Sequence, residues 1–135
     1  IDFLVGSAEY KILWGGNYFK VPPSRCWLVW NKPERGLTMA DGELAWCSWD
    51  GNLRTFDSSR NPDGKRQHPT QKPLELMTWC ISLAPEAGTI LDPFAGSGTT
   101  GRAAKDLGRK CTMIEREEKY CEIAAKRMAQ EVLAL

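Results

Sequence analysis

The sequence predicts an α/β fold, a sheet with helices packed on both faces, and three observations carry that prediction. Short apolar runs bounded by Gly, Pro, Asn and Asp recur along the chain, as strands require. From Pro73 onward the order is helix, strand, glycine-rich turn, helix, strand, helix, which implies parallel pairing through right-handed crossovers. The length of 135 residues, with 42% hydrophobic and 26% charged residues, suits one domain covering residues 1–135.

The first strand expected is Tyr10–Trp14, stopped by Gly15-Gly16-Asn17. Cys26–Trp30 is a continuous apolar run closed by Asn31-Lys32-Pro33 and reads as a strand covered on both faces. Glu43–Trp49 and Asn52–Phe56 flank Asp50-Gly51, a hairpin signal. Residues 57–72, DSSRNPDGKRQHPTQK, lack periodicity and read as a surface loop. Four Lys and Arg against two Asp leave it a local +2. A helix follows, with Leu74, Met77, Ile81 and Ala84 on one face and Pro73 in its first turn, ended by Pro85 and Gly88. Thr89–Asp92 is a short strand, Gly96–Gly101 turns the chain, and a helix over Thr99–Leu107 stops at Gly108. After the strand Lys110–Ile114, a last helix begins near Glu117. Its expected apolar stripe is Cys121, Ala124, Ala125, Met128, Val132 and Leu135.

No apolar run approaches the ~20 residues of a membrane helix. The opening Ile1-Asp2-Phe3-Leu4 has no feature of a signal peptide, so the expectation is a cytoplasmic chain that starts internally in a longer protein. Eighteen basic against seventeen acidic residues, a formal charge of +1, lack the broad basic excess that alone announces a nucleic-acid binder. Five cysteines, odd in number and never in a C-x-x-C pair, argue against a disulfide framework or a metal site and for small core residues. Among the aromatics, Trp27, Trp30, Trp46 and Trp79 are expected in the core, with Trp14, Trp49 and Tyr18 more open.

The segment that carries chemistry is LDPFAGSGTTG, Leu91–Gly101. A strand that feeds glycines and then a helix N-terminus aims unpaired backbone N–H groups at a ligand. Gly96, Gly98 and Gly101 satisfy G-x-G-x-x-G, and Glu115 stands at the end of the next strand, where a carboxylate accepts the hydroxyls of a ribose. A glycine-rich turn without a ligand is the plainer alternative. A Walker-type phosphate loop is excluded, because Arg102-Ala103 follows Gly101 where Lys-Ser or Lys-Thr is required. The spacer Asp92-Pro93-Phe94-Ala95 between strand and glycines disfavours a pyrophosphate dinucleotide. S-adenosylmethionine instead offers a ribose diol for Glu115, a carboxylate for helix N–H groups and an ammonium for an acid such as Asp92.

These residues resemble those of the DNA amino-methyltransferases of the beta arrangement. His68-Pro69-Thr70-Gln71-Lys72-Pro73 looks like that family's HPTQKP segment and precedes DPFAGSGTT by about twenty residues, as it does there. Glu115 with Tyr120 is similar to its IE…Y ending. Ile12–Phe19 and Cys26–Lys32 are similar to strands of the short, phage-like adenine enzymes. The resemblance implies a Rossmann-like methyltransferase sheet and S-adenosylmethionine-dependent methylation of DNA, on N6 of adenine rather than N4 of cytosine, in a restriction-modification or phage setting. It implies cofactor contacts from Asp92, Phe94, Gly96, Gly98 and Thr99, ribose binding by Glu115, and closure of the methionine end by His68, Thr70 and Lys72. DNA phosphates are expected at the basic loop, on Arg60, Lys65 and Arg66, with a solvated loop that has no partner as the alternative.

One part of the family pattern is missing. Its catalytic loop reads (Asp/Asn/Ser)-Pro-Pro-aromatic, whereas here Pro22-Pro23 stands between Val21 and Ser24, and Asp92-Pro93-Phe94 belongs to the cofactor loop. No catalytic residue is therefore assigned. In the family's order that loop and its strand precede residue 1, so the central strand between those starting at Tyr10 and Thr89 is expected to be absent and the sheet incomplete. Direct pairing of these two strands, self-association, or a separate upstream segment would fill the gap. The rival functions are a non-catalytic nucleoside- or DNA-binding remnant and a nicotinamide oxidoreductase.

Overall fold

The computed structural model describes residues 6, 8–64, 66, 68, 70–85 and 88–130. The backbone divides into two compact units, Ile1–Ser59 and Arg60–Leu135, a boundary that falls within the segment read as a loop.

In the first unit, β1 (Ile12–Trp14), β2 (Trp27–Asn31), β3 (Gly42–Cys47) and β4 (Arg54–Asp57) form one sheet in the order β1-β3-β2-β4. β3 runs antiparallel to both β1 and β2, and only β4 is parallel to its neighbour, β2. The hairpin expected across Asp50-Gly51 is corrected: β3 and β4 do not pair, and the chain from Cys47 to Arg54 carries β4 to the far side of β2. A type I′ turn needs positive φ at both central residues, and neither Asp50 nor Gly51 has it. The antiparallel neighbour pair is β2–β3, closed where Lys32 N–H donates to Asp41 O at 2.9 Å. Along β2 the burial alternates, with Leu28 and Trp30 buried and Trp27 and Val29 half-buried, so one face rather than both is fully covered. Tryptophan N–H groups are satisfied by backbone carbonyls: Trp30 by Ser58 O at 2.7 Å and Trp46 by Pro22 O at 2.8 Å. Lys32 is buried, its ammonium 2.7 Å from Glu43 Oε1 and 4.5 Å from the centre of the Trp30 ring.

The second unit is the βαβ half. It contains α1 (Leu74–Leu83), β5 (Thr89–Asp92), α2 (Thr99–Asp106), β6 (Lys110–Met113) and α3 (Glu118–Ala129). β5 and β6 pair in parallel with Thr89 opposite Lys110, and α2 makes the crossover. The core gathers Ile81, Ala103 and Ala104, with Met77, Ile90 and Cys111 packed around them. Small side chains on α2 allow this close approach. Two helix faces differ from expectation. In α1 the buried residues are Leu76, Cys80 and Ile81, while Leu74 is exposed. In α3 the inward positions are Tyr120, Ile123, Ala124, Arg127 and Met128; Cys121 and Ala125 face water, and Val132 and Leu135 lie outside the described residues. The C-terminus of α3 is capped by cations from α2. Lys105 Nζ donates to Met128 O and Gln130 O, and Arg102 Nη1 donates to Arg127 O and Gln130 O, all within 2.6–3.1 Å.

Cys26, Cys47 and Cys80 are buried as expected, Cys111 is half-buried, and Cys121 corrects the expectation of five core thiols by being exposed. β1 belongs to the four-stranded sheet of the first unit and β5 to the two-stranded sheet of the second. Among the described residues no helix is long and apolar enough to cross a membrane, and no group of three or more His, Cys, Asp or Glu is placed to hold a metal ion.

Candidate functional site

The site is built where β5 runs into α2. Asp92 ends the strand, and its Oδ1 accepts the Phe94 N–H at 3.0 Å, turning the chain so that the Phe94 ring stands 76% exposed. Ala95 N–H donates to Ile114 O and Ile114 N–H to Asp92 O, which ties this turn to the end of β6. Gly96 and Gly98 then take left-handed φ of +54° and +82°. Close approach fixes them as well. A Cβ on Gly98 would lie 2.7 Å from that of Ala124 on α3, and one on Gly96 would lie 3.3 Å from the His68 ring. Gly98, the N-cap of α2, has no side chain with which to satisfy the helix's first N–H groups. The expectation of unpaired loop donors needs one correction: the N–H groups of Phe94 and Gly96 are already engaged by Asp92 and Glu115.

Glu115 follows β6 and faces the loop. Its Oε2 accepts the Gly96 N–H and its Oε1 the Glu117 N–H, each at 2.8 Å. The bond from Glu117, joined by those from Gly96 and Arg116 and by the nearby His68, outweighs desolvation and holds this carboxyl below its ordinary range. A carboxylate offers about four acceptor sites, so the bonds from Gly96, Arg116 and Glu117 fix its orientation and leave about one site open.

The HPTQKP segment meets the loop from the other side. The His68 ring lies 4.3 Å from that of Tyr120 at a tilt of 57°. His68 Nδ1 accepts the Thr70 N–H at 3.2 Å and lies 3.1 Å from Thr70 Oγ1, which orients the imidazole. Gln71 Oε1 accepts the hydroxyl of Ser97 at 2.7 Å, across 26 residues of sequence. Lys72 is half-buried before α1, where its charge is felt by the Cys80 thiol. Thr99 is buried and its hydroxyl accepts from Arg127 at 3.0 Å, which turns that side chain inward.

The residues expected from sequence are therefore gathered in one place: Asp92, Phe94, Gly96, Gly98, Glu115, His68 and Thr70 surround a single loop. Gln71, Ser97, Tyr120 and Arg127 join it as well. Gln71 and Ser97 lie inside the HPTQKP and LDPFAGSGTTG motifs and Tyr120 within IE…Y, so for these three the sequence carries a signal, and for Arg127 it carries none. Of the basic-loop residues, Arg60 is half-buried, Arg66 is exposed with its Nε donating to His68 O at 3.1 Å, and Lys65 lies outside the described residues.

Residues 9–126 match a family model described as DNA methylase, of the N6/N4 group, and Arg127 stands one residue beyond that span. The chain is 46% identical over 72 residues to the Type II methyltransferase M.HinfI of Haemophilus influenzae, covering 53% of this chain and 20% of that protein. It is 41% identical over 92 residues to M2.DpnII of Streptococcus pneumoniae, covering 67% of this chain and 33% of that protein. The chain thus spans a third or less of these curated relatives. Among solved structures, the M1.HpyAVI–SAM complex superimposes with a TM-score of 0.64 at 34% identity, over 77% of this chain and 61% of that one.

Proposed function

The chain belongs to the DNA methylase family, and from that membership we propose that it is the cofactor-binding part of an S-adenosylmethionine-dependent DNA methyltransferase that acts on the exocyclic N6 of adenine. The observation that carries the proposal is the Glu115 carboxylate held by the Gly96 N–H, beside a glycine loop that opens α2. When bound, S-adenosylmethionine supplies an electrophilic methyl group on its sulfonium. The protein's part is to bind and orient. Glu115 accepts from the ribose diol on its remaining acceptor capacity. Gly96, Gly98 and the exposed Phe94 ring bound the nucleoside. Asp92, His68, Thr70 and Lys72 face the amino-acid end. Arg60, Lys65 and Arg66 contact DNA phosphates, a role in which charge on a loop suffices. The preference for adenine rests on the likeness of Ile12–Phe19 and Cys26–Lys32 to the short adenine enzymes.

Titration calorimetry tests the cofactor. S-adenosylmethionine and its demethylated product S-adenosylhomocysteine are expected to bind and NAD to give no heat; the reverse pattern would overturn the proposal in favour of the nicotinamide alternative. A second reading, binding without catalysis, is favoured by one specific observation, that no (Asp/Asn/Ser)-Pro-Pro-aromatic tetrapeptide other than the cofactor loop's partial match occurs in these 135 residues. The expected result for the 135-residue chain is cofactor binding with no methyl transfer to duplex DNA, read with tritiated cofactor.

A further inference from the structure

We infer that Arg127 is the positioning residue of the glycine loop, and that it acts through Ser97 to dock Gln71, so that the HPTQKP segment and the loop form one hydrogen-bonded unit. The inference rests on the cofactor-binding role proposed above. One nitrogen, Arg127 Nη1, donates to Ser97 O at 3.1 Å, to Ser97 Oγ at 3.3 Å and to Thr99 Oγ1 at 3.0 Å. Ser97 is 2% exposed and passes its own hydroxyl hydrogen to Gln71 Oε1 at 2.7 Å. These contacts bracket Gly98, the residue that forces the left-handed turn into α2. All three acceptors on Nη1 are neutral, and all belong to the loop or to the first residue of α2, so this half-buried side chain is tied to loop geometry. Burial and then the charge of Arg102 lower its proton affinity, against the opposing charges of Asp63 and Asp106. Nη1 has only two hydrogens, so one of them is shared between two of these acceptors, whereas a lysine ammonium carries three donors on one nitrogen, so Arg127→Lys can keep the contacts that Arg127→Met removes.

A purely structural role makes a different prediction, and Lys105→Met is the control. Lys105 also joins α2 to the end of α3, through Met128 O and Gln130 O, and among the described residues its ammonium makes no hydrogen bond to the loop. Affinity for S-adenosylhomocysteine and thermal midpoint are to be measured for each variant of the full chain. Arg127→Met is expected to weaken the ligand about tenfold, as loss of charged hydrogen bonds implies. Arg127→Lys should restore most of that loss, and Lys105→Met should lower the midpoint with the affinity unchanged. Equal affinity for Arg127→Met and wild type, or an equal loss for Lys105→Met, overturns the inference. Should Arg127→Met not fold, Ser97→Ala carries the same test, because it cuts the link to Gln71. Amide hydrogen exchange without ligand gives an independent arm. Faster exchange at Gly96 and Gly98 in Arg127→Met but not in Lys105→Met supports the positioning role, and unchanged exchange overturns it. If wild type binds no S-adenosylhomocysteine, the proposed function fails while this arm still decides the role of Arg127.

Discussion

Gly98→Ala measures how far the loop depends on a residue without a side chain. Gly98 has φ of +82°, and an L-residue in that region costs ~1–2 kcal/mol. A Cβ there would also lie 2.7 Å from Ala124 Cβ and 3.1 Å from Ala124 Cα, and the second of these is helix backbone that moves only with α3. Overpacking of that kind adds ~1–3 kcal/mol, for a total of ~2–5 kcal/mol. Gly108 supplies the comparison, since its φ is +67° but a Cβ on it meets nothing within 4 Å, so Gly108→Ala should cost only the ~1–2 kcal/mol backbone part. Gly101→Ala should cost less than Gly98→Ala. Its backbone is helical, its new Cβ meets the flexible thioether of Met113, and alanine regains ~1 kcal/mol of helix propensity. Urea unfolding followed by far-UV circular dichroism is the assay, because all three described α-helices lie in Arg60–Leu135 and report that unit. With a slope of roughly 1–2 kcal/mol per molar, the Gly98→Ala midpoint should fall by roughly 1–5 M. Equal losses for Gly98→Ala and Gly108→Ala would show that the contact with Ala124 is not a constraint, and the packing half of the reasoning would be refuted.

Glu115→Gln is expected to weaken S-adenosylhomocysteine by about ten- to a hundredfold, the range of a charged hydrogen bond, with calorimetry as the readout. Because the native carboxyl of Glu115 is held below its ordinary 4.5, its stabilisation is present above that pH and is lost as pH falls through the lower native value. The stability difference between wild type and Glu115→Gln should therefore shrink below pH 4.5, and a difference constant with pH counts against the Gly96 and Glu117 bonds. In the first unit, Glu43→Leu should cost ~3–5 kcal/mol because it strands the buried Lys32 ammonium. Lys32→Met leaves only a partly exposed carboxylate and should cost less. Fluorescence of Trp14, Trp27, Trp30, Trp46 and Trp49 follows that unit, and the opposite order of losses defeats the assignment. Among the thiols, Cys121 should react fast with a disulfide reagent at pH 8. Burial pushes Cys80 up to about 12, burial and the nearby Asp92 push Cys111 up to about 11, and Cys26 and Cys47 are covered, so fast modification at any of these four contradicts the packing.

What was legible in the sequence divides along the same boundary as the backbone. In the second unit every element was read within a few residues, because its signals are local: Pro73 before α1, glycines at the loop, Gly108 after α2, and apolar runs too short for anything but strands. In the first unit the Asp50-Gly51 dipeptide satisfied a local rule that the register ignored. With Leu28 and Trp30 buried, β2 is an inner strand that takes β3 on one side and β4 on the other, and the dipeptide becomes part of a crossing rather than a turn.

The candidate site shows the same limit in its chemistry. The motif pointed to groups that can be recognised by type, a carboxylate after a strand and glycines before a helix. Reading α3 by apolar periodicity then placed Cys121 and Ala125 inward, whereas the face was decided by the contact of Ala124 with Gly98 and by a charged residue, Arg127, which an apolar stripe does not reveal. Arg127 reaches Ser97 across 30 residues and Gln71 reaches it across 26, so both partners become visible only when the fold has brought α3 and the HPTQKP segment against the loop. A loop of glycines has few conformational preferences of its own, and its shape must be imposed by donors and acceptors from elsewhere. In this chain the imposing groups are Glu115 at Gly96, Ala124 at Gly98 and Arg127 at Ser97 and Thr99. Of these, only Glu115 also offers lone pairs to a ligand, which is why it alone could be assigned a binding role from sequence.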